Sequence, residues 1–246
     1  MTVVIVGASK GIGRAVARQL AVRGDRLCLL GRDVAELERS ARDLEVRAGQ
    51  SSQHVAVAAC DLADPTTFAP ALDAAAAALG RVDTVIVTAA DFATQAELET
   101  DRDHLQRLLT VNFSNTVLFC EDARKRLLSH GGTLCVVSSV AGDRGRKPVI
   151  LYGAAKAGLS RYLEGLDHKF RSQGLKVVCV KPGFVKTGMT AGLKPPPFAG
   201  EPDGVARDIV RAIDRGTPVV YTPRIWALVM LVIRWLPRGV MRKIGF

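Results

Sequence analysis

The chain has 246 residues, 48% of them hydrophobic, which is enough for a substantial core and too apolar for a disordered chain. Its formal charge of +10 comes with only 5% aromatic residues and no basic motif interleaved with aromatics, which argues against a nucleic-acid binder. Five scattered cysteines without CxxC spacing and four dispersed histidines give no metal-ligand pattern; with no signal peptide visible they fit a reduced, cytoplasmic compartment.

Residues 2–6 form a β-branched run that stops at Gly7, as a buried parallel strand does. A helix over 12–21 follows, then a strand over 26–30 and a charged helix over 33–48 with Asp33 as its N-cap. A third strand, 54–59, ends at Cys60-Asp61, and Asp64-Pro65 opens the next helix with proline in its first turn. Strand four spans 82–87 and a single long helix 101–129. Strand five spans 133–137, a helix 151–172, and strand six 175–180, halted by Pro182-Gly183. Val219-Val220 form a short last strand. This repetition predicts one α/β domain of Rossmann type, a doubly wound parallel sheet with helices on both faces. The proline-rich stretch 193–198 falls where a lid over the carboxyl end of the sheet would sit. The dinucleotide-binding and catalytic domain is read as 1–223, followed by a basic, apolar C-terminal segment, 224–246.

Gly7-Ala8-Ser9-Lys10-Gly11-Ile12-Gly13 follows the first strand directly. Gly7, Gly11 and Gly13 turn the chain from strand to helix, so that the backbone around Ser9, Lys10 and Ile12 can approach a pyrophosphate at the helix N-terminus. The spacing is G-x-x-x-G-x-G rather than G-x-G-x-x-G, and alone it could be no more than a tight loop. Strand two ends Leu30-Gly31-Arg32 with no acid at Leu30 or Gly31. An acid there binds a ribose 2′-hydroxyl, whereas a cation accepts a 2′-phosphate. Arg32, with Lys10 nearby, therefore favours NADP(H) over NAD(H); the alternative is an ordinary solvated loop arginine.

Tyr152 and Lys156 stand four apart in YGAAK and so share a helix face. A free tyrosine has a pKa of about 10, and a neighbouring ammonium is expected to lower it. Tyr152 could then give a proton to a ketone oxygen, or take one in reverse. Ser139, of the pair Ser138-Ser139, would hydrogen-bond the same oxygen. A Tyr-x-x-x-Lys pair alone is a weak signal; the serine and the glycine turn in the same chain make it a strong one.

Together these residues resemble the short-chain dehydrogenase/reductase family over nearly the whole chain. The likeness is carried by GASKGIG at 7–13, CDLAD at 60–64, VNF at 111–113, VVSSVAG at 136–142, YGAAK at 152–156 and KPGFVKT at 181–187. The resemblance implies a catalytic tetrad of Asn112, Ser139, Tyr152 and Lys156, with Ser139 chosen over Ser138 by its spacing to Tyr152. Asn112 would hold a water linking Lys156 to bulk solvent, and Lys156 would also bind the nicotinamide ribose. Asp61 and Leu62 would flank the adenine; Pro182, Gly183, Val185 and Thr187 would hold the nicotinamide and pyrophosphate side. The family's usual Asn-Ala-Gly after strand four is here Thr88-Ala89-Ala90, followed by Asp91. Thr88 would replace the asparagine by its hydroxyl, and Ala89 and Ala90 would lie against the cofactor, with an added methyl at Ala90. Family members commonly pair through the two long helices, which implies a homodimer or homotetramer.

The apolar run 225–233 carries Trp226 and is followed by Trp235, with Arg224, Arg234, Arg238, Arg242 and Lys243 around it. It is too short to span a bilayer, and Pro237 should divide the segment into two short helices. Such a segment suits either an interfacial helix on anionic lipid, at the inner face of the cell membrane, or packing on the subunit or a partner. With AGDRGR at 141–146 and TGMTAGLKPPP at 187–197, it is similar to the branch of the family that reduces decaprenylphosphoryl-2-keto-ribose. That likeness implies a keto-sugar on a polyprenyl phosphate, whose phosphate Arg144, Arg146 and Lys147 could meet. A 3-keto lipid or a soluble ketone would use the same tetrad, and a non-catalytic NADP-binding regulator is the rival from another class.

Overall fold

The computed structural model describes residues 1–49 and 55–244. Its strands are β1 (Thr2–Val6), β2 (Arg26–Gly31), β3 (Ala56–Ala59), β4 (Thr84–Val87), β5 (Gly132–Val137), β6 (Leu175–Pro182) and β7 (Val219–Thr222). The intervening helices are α1 (Gly11–Val22), α2 (Val34–Ala48), α3 (Phe68–Leu79), α4 (Gln95–Thr100), α5 (Arg102–Leu109), α6 (Asn115–Leu128), α7 (Ile150–Phe170), α8 (Pro202–Arg215), α9 (Ile225–Trp235) and α10 (Arg238–Lys243).

The strands make one parallel seven-stranded sheet in the order β3-β2-β1-β4-β5-β6-β7. Alternation within β1 shows why it is buried on both faces. Val4 and Val6 face a core shared with α3, α6 and α7, while Val3 and Ile5 face one shared with α1, α2 and α8. All five cysteines are free and buried in these layers. Register aligns the carboxyl ends: Val6 pairs with Leu30 and Val87, Val87 with Val136, and Val137 with Val180. The order reverses beside β1, between β2 and β4, and open α/β sheets bind ligands at such a switch point.

Several sequence expectations need correction. The predicted helix 101–129 is two helices joined by a π turn, Thr110–Ser114, and α4 precedes them under a Thr94/Glu97 capping box. Pro65 opens a 3₁₀ turn, Pro65–Thr67, before α3 begins. Strand four starts at Thr84, because Asp83 is used to bind the edge of β1 through the Thr2 amide and hydroxyl. Helix α8, whose Val205, Ala206, Ile209, Ala212 and Ile213 are buried, had no counterpart in the sequence reading. The start of the predicted third strand, at His54, lies outside the described residues. Asp33 caps α2 as expected, accepting from the Glu36 amide at 3.0 Å. Pro237 separates α9 from α10, also as expected.

Candidate active site

The glycine turn is built by close approach. A Cβ at Gly13 would stand 2.2 Å from the Gly7 carbonyl oxygen, and one at Gly7 would stand 2.7 Å from the Ala89 amide nitrogen. Gly7 and Gly11 also take φ values of +86° and +54°, where a side chain is strained. Across the crevice, Thr187 comes within 3.4 Å of where a Gly11 Cβ would lie. The turn and the segment after β6 thus face each other over the switch point, with Ser9 and Ile12 half-buried and Lys10 exposed. Small residues, unobstructed backbone amides and the α1 N-terminus fit a dinucleotide's phosphates.

Thr88 does what an asparagine would be needed for. Its hydroxyl donates to the Val6 carbonyl at 2.9 Å and lies 3.2 Å from the Gly7 carbonyl, tying β4 to the glycine turn. Ala89 and Ala90 follow, both half-buried. Arg32 is exposed at the end of β2, and Asp33 beside it is engaged in its helix cap. Asp61 accepts from the Ala63 amide, whereas the Leu62 side chain is core, so only its backbone is offered to an adenine. Val185 is likewise core, and Pro182 is buried.

Three tetrad candidates meet where β5 ends against α7. Ser139 lies near enough to the Tyr152 hydroxyl to ease its deprotonation, and the Lys156 ammonium lies 5.8 Å from the centre of the Tyr152 ring. Lys156 is 2% exposed and donates to the Val137 carbonyl at 3.1 Å. Ser138 points the other way, donating to the Lys156 carbonyl at 3.0 Å and sharing a bond with Ser160 at 2.7 Å. It fixes α7 against β5. Phe92 packs its ring edge-to-face on Tyr152, with centroids 5.3 Å apart.

The protonation states differ from the expectation of a lowered tyrosine. Burial pushes the Tyr152 hydroxyl up to about 12, opposed only in part by Ser139. Burial also brings Lys156 down to about 8. The physical reason is that the lysine is itself desolvated and turned toward a backbone carbonyl, so that loss of water outweighs its attraction for a tyrosinate.

Asn112 sits in the π turn, fully buried. Its carboxamide donates to the Asp91 carbonyl and accepts from the Asp91 amide, both at 2.7 Å. The Asp91 carboxylate takes His104 at 3.2 Å and Arg107 at 3.0 Å; against the effect of burial, these contacts hold it below the usual carboxylate range. Asn112 therefore clamps the loop after β4 through its side chain.

Two features were missed from sequence. Asp143, four residues past Ser139, accepts from Lys181 and from the Tyr221 hydroxyl, each at 2.6 Å. This bridges the loop after β5 to β6 and β7. Trp226 of α9 lies on Gly183, where an added Cβ would come 2.1 Å from the indole. The indole donates to the Phe198 carbonyl at 3.2 Å, joining the C-terminal segment to the loop after β6. The base of that loop is closed by Val185 pairing with Gly200. The apolar run 225–233 gave a helix, but nothing in the sequence gave its seat on Gly183.

Arg144, Arg146 and Lys147 do not join the tetrad. They line a separate cleft of about 640 Å³ behind the Val140–Gly142 turn. Among the described residues no group of three or more His, Cys, Asp and Glu side chains could hold a metal ion, and no helix is long and apolar enough to cross a membrane.

The family model described as short chain dehydrogenase matches residues 1–197. An uncharacterized oxidoreductase of Mycobacterium tuberculosis is 33% identical over 98% of this chain and 96% of its own length. Carbonyl reductase family member 4 of Danio rerio is 30% identical over 77% of this chain and 78% of its own. Among solved structures, an actinorhodin polyketide ketoreductase with NADPH superposes with a TM-score of 0.79 at 20% identity, covering 89% of this chain and 95% of that one.

Proposed function

The chain belongs to the short-chain dehydrogenase family, and from that membership we propose an NADP(H)-dependent carbonyl reductase acting on a hydrophobic or lipid-linked ketone. The observation that carries the reading is the grouping of Ser139, Tyr152 and Lys156 where β5 ends against α7, with the Lys156 ammonium buried and 5.8 Å from the Tyr152 ring; burial there favours the protonated tyrosine. At neutral pH this site rests as a proton donor, the state that ketone reduction requires.

The bound nicotinamide would supply the hydride, and Gly7, Ser9, Lys10, Gly11, Ile12, Gly13, Asp61, Leu62, Ala89, Ala90, Pro182, Gly183, Val185 and Thr187 would hold its nucleotide. Ser139 donates to the ketone oxygen and fixes it beside the Tyr152 hydroxyl. Tyr152 gives its proton to that oxygen as negative charge develops there. Lys156, carrying its own proton below pH 8, stabilises the tyrosinate left behind and returns a proton to it. Asn112 positions the β4 loop; a relay water at this residue would be held by its main chain, because its carboxamide is committed to Asp91.

Arg32 and Lys10, both exposed at the end of β2 and in the glycine turn, support the preference for a 2′-phosphate. The lipid-linked substrate, of the decaprenylphosphoryl-2-keto-ribose kind, rests on the C-terminal resemblance and on the outward face of α9. Leu228, Leu231, Val232 and Trp235 are 63%, 49%, 62% and 82% exposed there, a surface suited to a membrane interface. Exposed Phe113 and Leu118 support pairing of two copies through α6 and α7. A regulator that only bound NADP would have no need of a desolvated lysine beside Tyr152.

The test is oxidation of NADPH and of NADH by the purified protein with soluble ketones, 3-keto lipids and polyprenyl-phosphate keto-sugars. NADPH-preferring turnover, absent in Tyr152→Phe and shifted toward NADH in Arg32→Glu, is expected. Turnover that survives Tyr152→Phe would remove the proposed acid.

A further inference from the structure

The cleft behind the catalytic turn has a composition of its own. Its lining carries Arg144, Arg146, Lys147, Arg238 and Arg242 and, among the described residues, no acidic one. Ile150, Ala154, Ala157 and Met241 supply the apolar part of that lining. Four of the five cations, Arg144, Lys147, Arg238 and Arg242, make no ion pair with a carboxylate among the described residues. Two of them donate instead to backbone carbonyls of the C-terminal segment, Arg144 to Leu236 at 2.6 Å and Lys147 to Arg242 at 2.7 Å. The nearest acid in sequence, Asp143, is already bound to Lys181 and Tyr221. Cations gathered in one cleft repel one another, and an anion relieves that repulsion.

The cleft is distinct from the hydride-transfer site. None of Ser139, Tyr152, Lys156 or Gly183 lines it. The turn between the two is sealed against α7: a Cβ at Gly142 would meet the Lys156 and Ala157 backbone at 2.7 Å, and one at Gly153 the Ala141 carbonyl at 2.8 Å. No substrate phosphate in this cleft needs to sit at the reacting carbon.

Its neighbour is the outward apolar stripe of α9. Ile225, Leu228, Val232 and Trp235 recur at helical spacing on the face opposite the buried Trp226, Met230 and Ile233. The stripe ends at Trp235; the next residue, Leu236, is the one that Arg144 holds, and Arg238 at the start of α10 already lines the cleft. An apolar face and a cationic hollow are thus joined by a pinned linker.

We propose that the cleft is an accessory binding site for the phosphate headgroup of an anionic bilayer lipid, seated while the α9 stripe enters the membrane interface. The phosphate would lie among Arg144, Lys147, Arg238 and Arg242, and the glycerol and first methylenes against Ile150, Ala154 and Met241. This inference does not rest on the hydride-transfer reading and stands or falls separately.

The experiment is co-sedimentation of the full chain with phosphatidylglycerol and phosphatidylcholine vesicles, beside calorimetric titration with monomeric decyl phosphate. Binding to phosphatidylglycerol but not phosphatidylcholine is expected, weakening with salt. Arg238→Gln/Arg242→Gln should weaken it by at least about tenfold, as expected when charge-assisted contacts are lost. Ala154→Trp, which fills the apolar part of the cleft and leaves every cation and the α9 stripe in place, should do the same with an unchanged Tm. Should that variant not fold, Ile150→Trp, at a residue 52% exposed, serves instead. Phosphatidylglycerol binding that is indifferent to the filling variant would mean diffuse surface attraction and overturn the cleft as a site. Tight decyl phosphate binding without vesicle binding would assign the cleft to a soluble amphiphile and overturn the bilayer source, and no binding to either would overturn both.

Discussion

Lys156 is placed at a cost to the fold, and removing its charge should stabilise the protein while disabling it. The side chain is 2% exposed, and its ammonium has one backbone acceptor, the Val137 carbonyl at 3.1 Å. Burial lowers it from the ordinary 10.5 to about 8. At about 1.4 kcal/mol per pH unit this is a penalty of about 3 kcal/mol on the charged form. The sign follows from proton counts. Below pH 8 folded and unfolded chains both carry the proton, and the penalty is complete. Between 8 and 10.5 only the unfolded chain holds it, so stability rises with pH until the penalty is gone. Lys156→Met removes the charge and also the bond to Val137, itself worth about 1 kcal/mol. The net gain at pH 7 is about 2 kcal/mol, or about 4–8 °C in Tm for a domain of this size. Scanning calorimetry at pH 7, 8.5 and 10 measures it, with the variant's advantage shrinking at each step. A variant that melts below the parent at pH 7, or whose advantage grows with pH, would refute the reasoning.

Ketone reduction should be level below pH 7 and fall as pH rises through about 8, because Lys156 loses its proton while Tyr152 keeps its own up to about 12; a steady-state kcat profile from pH 6 to 10 shows it, and a limb rising over that range would contradict it. Asp143→Asn leaves Lys181, 13% exposed, without its 2.6 Å partner and should cost about 3–5 kcal/mol. Adding Lys181→Met should recover at least half of that loss, as read from urea unfolding of all four members of the cycle. Thr88→Val strips the donor from the Val6 carbonyl and should cost about 1–3 kcal/mol, seen in the same unfolding assay together with weaker NADPH binding. Gly13→Ala drives a Cβ onto the Gly7 carbonyl at 2.2 Å and should abolish NADPH binding or folding, whereas Gly145→Ala, with open space around it, should leave soluble expression intact.

The sheet was legible because its strands are short apolar runs ended by Gly7, Asp61 or Pro182-Gly183, a punctuation that depends on neighbouring residues alone. The glycine turn and the Ser139–Tyr152–Lys156 grouping were legible because their spacing fixes strand end and helix face. The π turn was not: Thr110 to Ser114 has ordinary helical composition, and its bulge is set by the Asn112 carboxamide reaching 21 residues back to Asp91. Helix α8 was overlooked although Pro202 and Gly216 bracket an amphipathic run, a signal that was present in the sequence. The lowered tyrosine was expected from charge alone; burial, which reverses it, is a property of the assembled layers. Trp226 on Gly183 and Asp143 between Lys181 and Tyr221 join residues from distant parts of the chain, with no local trace.

The five thiols give the molecule a built-in clock. Cys28 and Cys60 are raised by burial to about 12 and about 11, and Cys120 and Cys135 are raised further in the fully dry layers. In the folded chain each is a silent filler, protonated and out of reach of an alkylating or oxidising reagent. Every opening that wets the sheet exposes a nucleophile that a reagent or an oxidant can trap before the layers close again. Ageing of this protein in air is therefore governed by how often it breathes, and mass added to each thiol would record which strands open and in what sequence.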